Sequence, residues 1–94
     1  MGDTRVLKDL RSVGPATVRD FNKMGITNVS QLVDKDAVKL YHKLEKITGI
    51  RQDPCVEDVF RCAIEQARNP RLSKQKSDWF YWSKIRKQRT TNKK

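Results

Sequence analysis

Glycine and proline are scarce in this chain, and where they occur they look like helix punctuation. After Gly2 they fall at Gly14-Pro15, Gly25, Gly49, Asp53-Pro54 and Asn69-Pro70. Between these points apolar residues recur every three or four positions, and no stretch alternates apolar with polar. That spacing predicts an all-α chain of five short helices. The first carries Val6, Leu7 and Leu10, is capped by Asp3 or Thr4, and stops at Ser12-Val13-Gly14-Pro15. The second runs from about Pro15 to Met24 with Val18, Phe21 and Met24 on one face. Gly25 closes it and Ile26 folds back onto it. Asn28 and Gln31 read as a capping box for a short third helix through Leu32. Asp36 caps a fourth, with Val38, Tyr41, Leu44 and Ile47 inward and Gly49 at its end. Asp53-Pro54 opens a fifth that reaches about Arg68, with Val56, Val59, Phe60, Ala63 and Ile64 inward. Ser77 is placed to cap a last short helix, and Thr90–Lys94 is expected to fray.

Charge divides the chain in two. The sequence carries a net charge of +10 over 94 residues. Residues 71–94 hold nine basic residues against Asp78 alone, while residues 1–70 hold twelve basic and ten acidic residues. A nearly neutral domain over 1–70, followed by an aromatic and basic extension over 71–94, is the expected organisation. Such an extension suits a polyanion, nucleic acid first, or serves solubility. No apolar run approaches the ~18 residues of a membrane span, and Met1–Arg11 lacks the apolar core of a signal peptide. Cys55 and Cys62 lie seven residues apart on one helix, about 10 Å at 1.5 Å per residue, too far for a mutual disulfide. Reduced thiols packed in a core fit a cytoplasmic protein. Redox sensing is the other reading of the pair.

The turn Ser12-Val13-Gly14 followed by Pro15-Ala16-Thr17 has chemistry of its own. The first amides of a helix have no partner inside it. They carry positive partial charge and favour an anion. Gly14 lets a phosphate approach the backbone, and Pro15 has no N–H to give. The expected donors are the amides of Gly14, Ala16 and Thr17 with the Thr17 hydroxyl. Arg11 and Arg19 flank them, with Lys8 and Lys23 further out. Contacts of this kind reach the backbone and leave the bases unread. In the basic extension, Lys84, Arg86, Lys87 and Arg89 are the expected phosphate-tracking residues. The alternative is an ordinary helix–helix turn beside a solvated charge run.

The order Leu7-x-x-Leu10-x-x-Val13-Gly14-Pro15-Ala16-Thr17, then Gly25-Ile26, Val29 and Leu32, resembles a helix-hairpin-helix DNA-binding motif. Ser12 stands where that pattern has its first glycine. The five-helix order is similar to the doubled, SAM-like form of the fold, whose second hairpin would be Thr48-Gly49-Ile50-Arg51. That loop is longer and lacks a second glycine. Leu40-Tyr41, Lys43-Leu44, Thr48-Gly49, Arg51-Gln52-Asp53-Pro54-Cys55, Asp58-Val59-Phe60-Arg61 and the late aromatic stretch resemble the bacterial pathogenicity-locus family, often labelled mitomycin-resistance proteins. The resemblance covers most of Leu7–Trp82. It implies DNA association, with a link to DNA repair or DNA-damage resistance by analogy, and brings no catalytic activity with it.

Other residues have two readings each. Trp79, Phe80, Tyr81 and Trp82 either lid the small core or stack on bases. Arg51 either pairs with Asp53 or reaches phosphate. Asp53, Glu57 and Asp58 could be imagined as a metal cluster, but capping and dipole matching account for Asp53 and Glu57. His42 has no evident ligand or triad partner. No nucleophile–base pair, metal constellation or nucleotide loop is present, so neither enzyme nor cofactor is expected. A non-sequence-specific DNA-binding module is the first functional expectation. A helical protein-interaction adaptor is the second, favoured by Ser12 in place of glycine and by the degenerate second loop.

Overall fold

The computed structural model describes residues 5–92, with side chains for residues 5–88. It contains four α-helices: α1 Pro15–Lys23, α2 Ala37–Thr48, α3 Pro54–Arg68 and α4 Trp79–Asn92. Leu7–Asp9 and Val29–Leu32 are 3-10 turns, and no strand occurs among the described residues. The all-helical expectation holds, but the count of five helices does not. The expected first and third helices are these two 3-10 turns, and the expected short last helix is the long α4.

The reason for the first difference is local. The amides of Asp9, Leu10 and Val13 each donate to a carbonyl three residues back, at 2.9, 3.1 and 3.3 Å. Ser12 then takes φ 72°, a left-handed conformation rare outside glycine. The segment therefore tightens and turns before an α-helix can propagate. The caps proposed at Asp3 and Thr4 lie outside the described residues. The Asp9 carboxylate instead accepts from the Val6 amide at 3.0 Å. At the other end, Asp78 Oδ1 accepts from the Phe80 amide at 3.1 Å, so Asp78 caps α4 where Ser77 was expected. Helical backbone continues through the expected fraying point at Thr90 to Asn92.

The remaining start and stop signals act as read. Asn28 Oδ1 accepts from the Gln31 amide at 3.1 Å, and Gln31 Oε1 accepts from the Asn28 amide at 3.1 Å. Asp36 Oδ1 accepts from Val38 and Lys39. Asp53 Oδ1 accepts from Cys55. Backbone bonds at helix starts hold the Asp36 and Asp53 carboxyls below the usual carboxylate range. Gly49 closes α2 at φ 68°.

The core joins Leu7, Leu10 and Val13 to Phe21, Ile26, Val29 and Leu32, then to Leu40, Leu44, Phe60, Ala63 and Ile64. The Phe21 and Phe60 rings meet at its centre, 5.1 Å apart. Burial of each such side chain contributes about 1.5–3 kcal/mol. The inward face expected for α2 holds at Leu44, which is buried, and at Tyr41, which packs against the core, and is corrected at its two ends. Ala37, Leu40 and Leu44 are buried, while Val38 is 41% and Ile47 49% exposed. Each three-residue step falls about 60° short of a full rotation. Three steps from Val38 to Ile47 therefore land on opposite sides of the helix. Val56 and Val59 on α3 are also only half-buried.

Helix α3 is the spine, and it presents two buried stripes. Phe60, Ala63, Ile64 and Ala67 face the apolar core. Asp58, Cys62 and Gln66, spaced by four, form a second and polar stripe. Helix α4 packs against α3. Its Ser83 is 1% exposed, and the missing bulk there suits close approach. Arg86 grips the fully buried Asp58 in a forked pair, Nε to Oδ1 at 2.9 Å and Nη2 to Oδ2 at 3.0 Å. Helix α4, within the extension after Pro70, is thus anchored on α3. None of Trp79, Phe80, Tyr81 and Trp82 joins the apolar core. Trp79, Tyr81 and Trp82 are half-buried and Phe80 is exposed, while Arg86 further along α4 reaches α3 at Asp58.

Candidate nucleic-acid interface

The turn between Leu10 and Thr17 is fixed from beneath by side chains distant in sequence. Leu10 and Val13 are buried and pull its ends into the core. Gln66, only 7% exposed on α3, pairs its amide with the Arg11 backbone. Oε1 accepts from the Arg11 amide at 2.9 Å, and Nε2 donates to the Arg11 carbonyl at 2.8 Å. The Ser12 hydroxyl turns toward α4. It accepts from the Trp79 amide at 3.0 Å and donates to the Ser77 carbonyl at 3.2 Å. Ser12 therefore serves the fold on its side-chain face, where a phosphate contact was expected.

The opposite face of the same turn is open. Gly14 is the N-cap of α1, with extended backbone (φ −96°, ψ −179°) and no capping side chain. A Cβ placed there would meet no atom within 4 Å. The Gly14 carbonyl accepts from Val18 at 3.0 Å, which closes the first helical turn. Helix geometry leaves the Ala16 and Thr17 amides without intrahelical partners, and the acceptor a capping side chain would bring is missing. Ala16 is exposed and Thr17 half-buried. Arg11, Arg19 and Lys8 are exposed, as is Lys23 at the far end of α1. Lys23 sits 4.0 Å from Asp20, an exposed pair of little energetic weight. The Val13 side chain is buried in the core.

The second loop, between α2 and α3, has its own acceptors. Glu45 Oε2 accepts from the Gln52 amide at 2.9 Å, which lowers the Glu45 pKa. Thr48 Oγ1 accepts from Ile50 at 3.3 Å. The Tyr41 hydroxyl donates to the Gln52 carbonyl. An anion there would meet a carboxylate and amides already bonded.

Helix α4 sorts the expected basic contacts. Lys84 and Lys87 are exposed, and Lys84 Nζ lies 5.6 Å from the Phe80 ring centroid. Arg86 is committed to Asp58, which holds the guanidinium firmly charged. The Arg89 side chain lies outside the described residues. Asp58 and Gln66 were missed by sequence reasoning. The available signal was the four-residue spacing of Asp58, Cys62 and Gln66 along α3. Both cysteines are free thiols. Burial pushes the Cys62 thiol up to about 11, which leaves it almost wholly protonated near neutral pH. Among the described residues no group of three or more His, Cys, Asp or Glu is placed to hold a metal ion. No helix there is long and apolar enough to cross a membrane.

Comparison with known proteins adds a lineage. A relative from Streptomyces lavendulae, described as mitomycin resistance protein McrB, is 41% identical over 61 residues. The match covers 65% of this chain and 58% of that protein, so only part of the relative is represented. No solved structure matches. The profile of the pathogenicity locus family, Cdd1, matches residues 2–88, nearly the whole chain, and the protein belongs to that family.

Proposed function

We propose that this protein binds the sugar-phosphate backbone of DNA, largely without regard to sequence, through the turn at Gly14–Thr17. The single observation that carries the reading is the uncapped, unobstructed start of α1 at Gly14. Oriented amides at a helix start, with no side-chain acceptor of their own and exposed arginines close by in the chain, favour an oxyanion. We read Leu7–Lys23 as a helix-hairpin-helix whose first helix is reduced to a 3-10 turn. The α2–α3 loop is its degenerate counterpart in a doubled fold. In this reading Lys84 and Lys87 on α4 add long-range attraction to the backbone. A role in DNA repair or DNA-damage resistance follows from the family resemblance and is part of the proposal, as is a cytoplasmic, non-enzymatic role. An adaptor that binds another protein is the second reading. It is favoured by Ser12 in place of glycine, whose hydroxyl is committed to the start of α4.

Fluorescence anisotropy with labelled duplex DNA tests this reading across a salt titration. The intact chain is compared with Gly14→Glu and with Lys84→Gln/Lys87→Gln. Truncation at Trp82 would also strip Arg86 from Asp58, so substitution is the cleaner probe. Engagement of about three to five phosphates predicts a log–log salt slope of about −2.7 to −4.5. Gly14→Glu should weaken binding sharply, because its carboxylate would occupy the anion position while remaining compatible with a helix start. If only the lysine variant weakens, the hairpin claim fails. If nothing binds at low salt, or binding to a protein partner proves salt-insensitive, the adaptor reading replaces it.

A further inference from the structure

Helix α4 turns one stripe toward α3, through Ser83 and Arg86, and leaves another outside. Phe80, Lys84 and Gln88, spaced by four, are all exposed on that outer stripe. Beside them runs a surface groove of about 410 Å³, lined also by Gln75, Asp78 and Tyr81. That volume lies within the range of about 300–1,000 Å³ typical of small-ligand clefts. Phe80 is 54% exposed, unusual for a phenyl ring that the core could have used. Trp79 stacks against it, ring centroids 5.4 Å apart and planes 23° from parallel, so Phe80 is an aromatic platform backed from behind by a residue that does not itself line the groove.

We propose that this groove seats an unpaired nucleobase from the strand whose phosphates rest on the first hairpin. The proposal deepens the DNA-binding reading and rests on it. Four observations favour a base as occupant. Phe80 offers the groove an aromatic ring, and stacking suits every base. Gln75 and Gln88 offer amide donors and acceptors to a base edge. Lys84, long and exposed, already lies over Phe80, and can move aside to meet a neighbouring phosphate. Asp78 in the groove wall disfavours a phosphate in the groove itself, yet its carboxylate can accept from a base amino group.

The groove is also physically tied to the hairpin. The Trp79 amide bonds the Ser12 hydroxyl at 3.0 Å. Ser12 precedes Gly14 by two residues, at most about 7 Å of chain, and Phe80 follows Trp79. That path bounds the separation of the Gly14 and Phe80 backbones at roughly 17 Å, a few nucleotides of strand, which would pass round the turn from its open face to α4. The preferred ligand is accordingly a duplex with a single-stranded flank, at which hairpin and groove are filled together.

Both tryptophans of the chain lie on α4, so intrinsic fluorescence reports on the platform. The full-length protein is titrated with a short oligothymidylate, an abasic oligomer of equal length and charge, and a blunt duplex. The oligothymidylate should quench the tryptophans and bind about 5- to 100-fold tighter than the abasic oligomer, the range expected for stacking of one base. Phe80→Ala should erase that preference and leave duplex affinity within about twofold, because backbone contacts do not involve the ring. Equal binding of thymidylate and abasic oligomers without quenching overturns the groove proposal, and points to a peptide or other occupant. If duplex binding sensitive to Gly14→Glu persists in that case, the hairpin reading stands alone. Quenching by thymidylate without any duplex binding would uphold the groove and sink the hairpin reading.

Discussion

The first hairpin and the α2–α3 loop share a plan: a tight turn ahead of a helix that opens with proline. They differ in who satisfies their amides. Asp53 caps α3, Glu45 binds Gln52, and Thr48 binds Ile50, so the Ile50, Gln52 and Cys55 amides each have an acceptor within the protein. The first hairpin spends its bonds differently. Gln66 and the Ser12 hydroxyl clamp its inner edge to α3 and α4, while Gly14 leaves the outer edge uncapped. A turn that is rigidly held yet lacks its own acceptors is suited to an external anion. A turn that supplies its own acceptors is only a connection.

The contrast can be broken most severely through α4. Arg86→Ala strands the fully buried Asp58 carboxylate and should destabilise the fold by about 3–5 kcal/mol in urea denaturation. It also loosens the helix that anchors Ser12. A variant as stable as the wild type would show that α4 does not support the first hairpin. Gln66→Ala acts more locally, removing both bonds to Arg11. It should cost about 1–3 kcal/mol and weaken duplex binding without changing the salt slope, since no phosphate contact is lost. A changed slope would mean that Gln66 acts through something other than position.

A charge-matched pair sharpens the comparison directly. Gly14→Glu and Ile50→Glu each add one carboxylate to one of the two turns, and Ile50 is 63% exposed. The first should weaken duplex binding by about tenfold or more, roughly 1.4 kcal/mol. The second should change it by less than about twofold, as expected for a screened, distant charge. Equal losses in anisotropy would remove the distinction between the turns. The smallest effect is acid-sensitive. Glu45 titrates below its ordinary 4.5, chiefly because it accepts from the Gln52 amide. Its contribution is therefore complete above about pH 4.5 and fades as pH falls through the lower folded value. In thermal melts the wild type should exceed Glu45→Gln modestly near neutrality, and the gap should close in acid. A gap that widened in acid would contradict the assignment.

What was legible in the sequence was local. Asn28 with Gln31, Asp36, Asp53 and Gly49 act within four residues of themselves, and each sets the boundary it announces. The phase of α2 was less legible, because Ala37 and Leu40 compete with Val38 and Ile47 for the core, while Leu44 and Tyr41 pack inward as expected. Only the neighbouring helices decide between the stripes. The support of the candidate site was least legible. Gln66 reaches Arg11 across 55 residues, Arg86 reaches Asp58 across 28, and Ser12 reaches Trp79 across 67. Nothing in the local pattern marks Ser12 as a cap for a helix so far along the chain. Its position in a glycine-like turn drew attention to the phosphate face, whereas its hydroxyl faces the opposite way.

The most direct test of the account is the amide spectrum of the isotopically labelled protein titrated with a short duplex at low salt. The account predicts the largest shifts at Gly14, Ala16 and Thr17, with Ile50, Gln52 and Cys55 nearly still. Shifts concentrated in the second loop, or confined to α4 while the Gly14–Thr17 amides stay fixed, would contradict it.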